Sequence, residues 1–395
     1  MLDRRQWMMA AGAATLATAA AVLTGARKTG RVTLFLCGDV MTGRGIDQVM
    51  PHPSDPRIFE RYVKSAIDYV SLAERENGPI PKPVGYDYIW GAAIAELERR
   101  RPDARIINLE TSITEEDDPE PKGINYRMNP ANVRCITAAR IDCCVLANNH
   151  VLDWGRAGCV DTLAILHDVD VATAGAGRTA SEAASPATLS TGHGRVLVFG
   201  VASRTSGVPS SWAATSSRPG VELLPDLSEQ TADRIGERMR AAREDGDIVV
   251  LSVHWGGNWG YEIPSEQRTF AHRLIETGAA DVVHGHSSHH PKGIEIYQGK
   301  PILYGCGDFI NDYEGIGGYE KYRGDLALMY FPTLDATTKK LVQLDLTPLR
   351  MKRFQLHRAS EQDTEWIRDI LAREGRLLGT TVTLAEHGTL RVSAG

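Results

Sequence analysis

Several features are scarce or missing in this chain of 395 residues, and each absence narrows its class. No Lys/Arg-rich run is present, and with a formal net charge of −6 nothing is arranged to neutralise a phosphate backbone, which argues against a nucleic-acid partner. No low-complexity tract and no repeat of fixed period occurs, so neither a disordered tether nor a solenoid is expected. The six cysteines match no zinc spacing. Cys37, Cys143, Cys144 and Cys306 sit in or beside apolar, strand-like runs, and Cys135 and Cys159 fall in helix-like patterns, so buried free thiols are expected. The apolar stretch Ala10–Thr24 is rich in Ala and Thr and too weak for a membrane anchor. What remains, 42% apolar and 24% charged, is the composition of a soluble globular protein able to bury a sizeable core.

The N-terminus has its own pattern. Arg4-Arg5 with Trp7, a short apolar segment and small residues near Thr24-Gly-Ala26 predict an export signal and linker over residues 1–30. The arginine pair is of twin-arginine type, a route that carries folded proteins and would allow a metal to be loaded before export to the periplasm or cell surface. No Cys lies near the cleavage site, so lipidation is not expected there.

From residue 31 onward apolar strands alternate with amphipathic helices, the grammar of an α/β fold. Helices are expected near 57–76, 91–101, 130–140, 156–167, 227–245 and 265–278. Beyond 293 a hairpin running to Asp308 and then alternating strands over 325–356 suggest antiparallel pairing, and a helical extension follows over 357–395. The acidic segment Thr111–Glu120 reads as solvated loop, and Ser203–Gly220 is long for a connection in a compact domain.

The chemistry gathers where strands stop. Five strand-like runs end in residues able to bind a metal: Asp39, Glu110, Asn149, His254, and the segment His284-Gly-His-Ser-Ser-His-His290. Brought to one rim of a sheet, they offer two carboxylates, an amide oxygen and three or more imidazoles. That suffices for two divalent ions sharing a bridging carboxylate, which together can activate water and clamp a phosphoryl group or polarise a carbonyl. Oxygen and nitrogen ligands without thiolate suit Mn, Fe or Zn, and the sequence does not choose among them.

These motifs resemble a known family. Gly38-Asp39-Val-Met-Thr-Gly-Arg44, Asn108-Leu-Glu110, Ala147-Asn-Asn-His150 with Asp153, His254-Trp-Gly256, Gly285-His286 with His289, and Gly305 to Asn311 are similar to those of the CapA family, the poly-γ-glutamate capsule group of the calcineurin-like metallophosphoesterase superfamily. The resemblance spans about residues 31–350. It implies a four-layer α/β/β/α sandwich over 31–356 with its metal site at the C-terminal ends of strands. It implies Asp39, Glu110, Asn149, His254, His286 and His289 as ligands, and His150 as the catalytic residue that assists the leaving group or stabilises charge. Three departures stand out. Met41 occupies the third position of a motif that is Asp-x-His in the superfamily, Glu110 replaces Asp, and His286 and His289 are one residue further apart than usual, so one of the two ion sites is expected to be incomplete.

His284 and His290 are alternative ligands, His284 equally a structural residue. Arg44 either contacts an anionic substrate or forms a salt bridge in the fold, and Trp255 and Asn258, with Trp259, are candidates for the substrate pocket. The expected partners are an anionic polymer or a small phosphoester or peptide substrate, together with a capsule-synthesis membrane complex. The expected function is an exported metal-dependent hydrolase of a capsule or envelope polymer. The competing expectation is a non-catalytic metal-binding accessory subunit of a polymer synthesis or export complex.

Overall fold

A computed structural model describes residues 30–395, so the expected export signal lies outside the described residues. Two sheets stack face to face, one of ten strands and one of seven. Arg31–Val40 runs through the middle of the larger sheet and explains the layering. Its side chains alternate between faces, as a strand requires. Leu34 and Leu36 point between the sheets, where they join Ile106, Val145, Val198, Val250 and Val282. Phe35 and Cys37 point the other way, toward the helices Ala92–Arg100 and Gly155–Asp168. On the far side of the smaller sheet, Phe199, Leu251 and Val283 pack against the helices Glu229–Ala242 and Ser265–Glu276. The result is the expected four-layer α/β/β/α sandwich.

Each sheet has a parallel half. In the larger, Arg31–Val40, Ala104–Leu109, Cys143–Val145 and Ala172–Ala174 run side by side in parallel. In the smaller, Gly194–Ser203, Ile248–His254, Val282–His286 and Lys300–Leu303 do the same. The C-terminal ends of these strands carry the polar residues, as open parallel sheets do where they bind ligands. Leu326–Asp335 and Leu341–Lys352 complete the larger sheet in antiparallel fashion.

Several local expectations need correction. The helix expected over 57–76 is only Ile67–Asn77; residues 57 and 65 bridge as an antiparallel turn, and Tyr62 between them is 84% exposed. The strand expected to carry Asn149 and His150 stops at Val145, so both lie on the following loop. Part of the segment read as solvated is buried: Ser112–Ile113 pairs with Arg127–Met128. Within the region read as one hairpin, Ile294–Tyr297 and Lys300–Leu303 pair as expected, but Asp308–Ile310 crosses over and joins Arg31–Val40 in the other sheet. The tail contains the helix Glu361–Arg376, whose Ile367 and Leu371 close the space between the sheets, and then a hairpin, Thr380–Ala385 with Thr389–Ala394, at the edge of the larger sheet. All six cysteines are buried and free. No helix among the described residues is long and apolar enough to cross a membrane.

Candidate metal centre

Gly38 and Gly307 set the centre by letting two strands touch. A Cβ at Gly38 would lie 1.6 Å from the Gly307 carbonyl oxygen, so no side chain fits there. Asp39 N–H instead donates to that carbonyl at 3.0 Å, and Asp39 and Asp308 become neighbours across parallel strands. Asp39 Oδ1 accepts from the Asn108 amide at 2.7 Å and Oδ2 from the Ser287 N–H at 3.2 Å. Burial, reinforced by the charge of Asp308, pushes the Asp39 carboxyl up to about 7.

The histidines come from the opposite sheet. His254 and His286 are register partners, and their Nδ1 atoms converge to 2.8 Å. His286 Nδ1 is 3.8 Å from Asp39 Oδ1. His254 Nε2 meets Asn149 Oδ1 at 3.0 Å and Glu110 Oε1 at 3.7 Å. Burial drives both imidazoles well below their usual range, which keeps them neutral and able to donate a lone pair. On the other side of Asp39, His289 Nδ1 lies 2.8 Å from Asp308 Oδ1. Burial would lower His289, but the Asp308 and Asp39 charges outweigh it and raise it.

Two groups therefore share Asp39: Asp39 with His254 and His286, and Asp39 with His289 and Asp308, the ligand atoms of each lying within 4.8 Å of one another. Ligands about 2.1 Å from a common ion stand roughly 3–3.5 Å apart, and the pairs His254–His286 and His289–Asp308 at 2.8 Å and His286–Asp39 at 3.8 Å lie on either side of that spacing. A second observation supports the fit. Glu110 Oε2 is buried without a hydrogen-bond partner, although its carboxyl also faces Asp39. A solitary buried carboxylate oxygen is costly unless a cation meets it. Burial and the Asp39 and Asp308 charges push Glu110 well above the carboxylate range.

The extra residue between His286 and His289 is absorbed by a strained turn. Ser287 adopts φ of 101°, a region non-glycine residues rarely enter, and its N–H is the donor to Asp39. His150 stands at the edge of the centre, its Nε2 3.8 Å from Glu110 Oε1. Its Nδ1 contacts Asp153 Oδ2 at 2.6 Å, and Lys122 Nζ meets Asp153 Oδ1 at 2.8 Å. Burial, only partly opposed by Asp153, lowers His150 to about 4.

Of the residues predicted from sequence, Asp39, Glu110, Asn149, His150, His254, His286 and His289 converge. The remaining candidates separate. His284 uses both nitrogens, on Ser252 Oγ at 3.0 Å and the Cys37 carbonyl at 2.7 Å, so it is structural. His290 likewise spends its nitrogens on the Pro291 carbonyl and the Gly260 N–H. Arg44 is buried: it forks onto Asp312 at 2.8 and 2.5 Å, reaches Glu60 at 2.6 Å and stacks on Tyr69, which gives the guanidinium to the fold rather than to a substrate. Trp255 is a core residue stacked on Tyr304, its indole N–H donating to the Tyr304 carbonyl at 2.9 Å. Asn258 is exposed at the rim, its side chain 2.9 Å from His289 Nε2, and Trp259 stacks on Tyr319 beside it. Sequence reasoning missed Asp308 and Lys122. Asp308 opens the short strand Asp308–Ile310 beside Asp39, whereas the sequence places it at the end of a hairpin; Lys122 follows an acidic loop and carries no local signal.

Fold and centre together define an α/β/β/α protein with a carboxylate–imidazole cluster at the strand ends. The family described as bacterial capsule synthesis protein PGA_cap matches residues 33–313, and the chain belongs to it. A probable polyglutamine synthesis accessory protein of Mycobacterium tuberculosis is 48% identical over 364 residues, covering 91% of this chain and 96% of the relative. The PGA biosynthesis protein CapA of Bacillus subtilis is 27% identical over 315 residues, covering 79% of this chain and 70% of its own. A solved phosphatase of Mycoplasma pneumoniae superposes with a TM-score of 0.42 at 11% identity, over 82% of this chain and 94% of that one.

Proposed function

We propose that the protein is an exported, metal-dependent hydrolase acting on a capsule or envelope polymer of poly-γ-glutamate type. The observation that carries this reading is the convergence of Asp39, Glu110, Asn149, His254, His286 and His289 on one rim with His150 beside them. Bound divalent ions of the Mn, Fe or Zn kind would supply Lewis acidity and a water activated near neutral pH. The chain's own groups do the rest. Asp153 holds the Nδ1 proton of His150, so the neutral imidazole turns its Nε2 lone pair toward Glu110 and the cluster. There it can accept a proton from the attacking water and return it to the departing oxygen or nitrogen. Lys122 pairs with the buried Asp153 carboxylate at 2.8 Å. The bond cleaved would be a phosphoester or an amide, with an anionic polymer, small phosphoester or peptide as substrate.

The test is turnover by purified protein on a panel of phosphoesters and γ-glutamyl peptides, with and without added metal. Metal-dependent cleavage that disappears in His150→Ala and His254→Ala is the expected result. A second reading has one observation in its favour: the Mycobacterium tuberculosis relative is named an accessory protein. On that reading the centre is a structural element of a subunit docked on a polymer-synthesis membrane complex. Normal polymer production in cells carrying either alanine variant would refute the hydrolase and leave the accessory role.

A further inference from the structure

Three buried carboxylates, Asp39, Glu110 and Asp308, surround this centre, and among the described residues none of them has a Lys or Arg within salt-bridge distance. Their close cationic candidates are imidazoles alone. The donors are also divided unevenly. On one side of Asp39 lie Asp308, on the neighbouring strand, and His289. On the other lie His254 and His286, with the Asn149 amide oxygen 3.0 Å from His254. Asp308 is 2% exposed, and its second oxygen is steadied by the Asn311 amide at 3.0 Å. Met41, two residues after Asp39, is no substitute on that side. Its N–H donates to the Ile310 carbonyl at 2.8 Å and its sulfur takes the Tyr313 hydroxyl at 3.3 Å. A thioether is in any case a poor ligand for a hard divalent ion.

We infer that Asp308 is a metal ligand that completes the half-site beside Met41, and that the centre holds two unlike ions bridged through Asp39. The half formed by Asp39, Asp308 and His289 is oxygen-rich and suits a harder ion such as Mn²⁺. The half formed by His254 and His286 is nitrogen-rich and suits Zn²⁺ or Fe²⁺. This explains why Met41 can stand in the first motif without costing the protein an ion: the strand crossing from the other sheet at Asp308 supplies the carboxylate. The inference rests on the reading that the centre binds divalent ions.

Metal content of purified protein, stripped and reloaded with equimolar Mn²⁺ and Zn²⁺, tests both. Wild type should retain about two equivalents, one of each metal, with the Mn²⁺ visible by electron paramagnetic resonance as a bound species. Asp308→Asn, which keeps the shape and the Asn311 neighbour, should lose the Mn²⁺ equivalent and its signal while keeping about one Zn²⁺. His254→Ala should do the reverse. Circular dichroism of each variant confirms that it is folded. Wild type that binds no metal would sink the metal reading itself. Two equivalents retained by folded Asp308→Asn, or two identical ions in wild type, would leave that reading standing and overturn this inference.

Discussion

Arg44 offers the sharpest test, because sequence left open a substrate contact and the structure makes it a structural keystone. Arg44→Met keeps an unbranched apolar stem and removes the guanidinium. Asp312 then loses both arms of its fork, at 2.8 and 2.5 Å, and Glu60 loses its 2.6 Å partner, while the Asp312 and Glu60 side chains remain 1% and 11% exposed. Glu60 keeps the Tyr69 hydroxyl and Asp312 keeps the Gly45 N–H, so neither is wholly stranded. Removing one member of a buried ion pair typically costs about 3–5 kcal/mol, since the other charge stays buried. Stacking of the guanidinium 3.5 Å from the Tyr69 ring centroid adds to the loss. With unfolding entropy of about 2 cal/mol/K per residue, a chain of this size should drop about 4–6 °C in Tm. Thermal and urea unfolding measure it, and adding Asp312→Asn and Glu60→Gln should recover most of the loss. A Tm within 1 °C of wild type, accompanied by weaker anion binding, would refute the structural assignment and restore Arg44 to the pocket.

Three further outcomes are expected. Asp153→Asn should lower kcat on any accepted substrate about 10²-fold, with metal content and KM unchanged, because His150 loses the acceptor that fixes its tautomer; an unaltered kcat would remove Asp153 from the reaction. Chelation should lower the unfolding free energy and with it Tm, and re-addition of Mn²⁺ or Zn²⁺ should restore about 2.7 kcal/mol at one hundred times Kd; a Tm indifferent to chelator would contradict the metal centre. Stability should also fall at acid pH through Glu96. Burial alone would raise this carboxyl, but hydrogen bonds from Arg99, Arg100 and Thr347 outweigh it and hold it at about 2, against 4.5 unperturbed. A depressed folded value means stability present above about pH 4.5 and lost as pH falls toward 2, up to about 3 kcal/mol in all. Glu96→Gln should flatten that part of the urea-derived stability profile, and an unchanged slope would show that the carboxylate contributes nothing.

How much of this was legible in the chain depends on distance along it. The buried strands announced themselves because Arg31–Val40 and Ile248–His254 are mostly apolar on both faces and carry an acid or an imidazole at or next to their last position. Local periodicity was enough for that. It failed at residues 57–66, where apolar spacing mimicked a helix although the chain turns back on itself between Arg57 and Ser65. It also failed after Lys300–Leu303, where nothing local says that the next strand changes sheets.

That change of sheet bears most on the centre. Asp308 was visible as an acid ending an apolar run, but its worth as a ligand depends on lying next to Asp39, 269 positions earlier, which is a property of pairing and not of pattern. The same holds for the unusual spacing of His286 and His289. Read along the chain, the extra residue displaces the second histidine from the expected pattern. In three dimensions Ser287 turns at φ of 101°, donates its N–H to Asp39, and lets His289 reach Asp308 at 2.8 Å instead. The wide histidine spacing, the methionine at 41 and the aspartate at 308 are thus three parts of one arrangement. If so, they should act together: narrowing the histidine spacing by deleting Ser288 should cost His289 its contact with Asp308 and release the same ion equivalent that Asp308→Asn releases. Loss of the other equivalent, with the protein folded, would show that the spacing serves the His254 half.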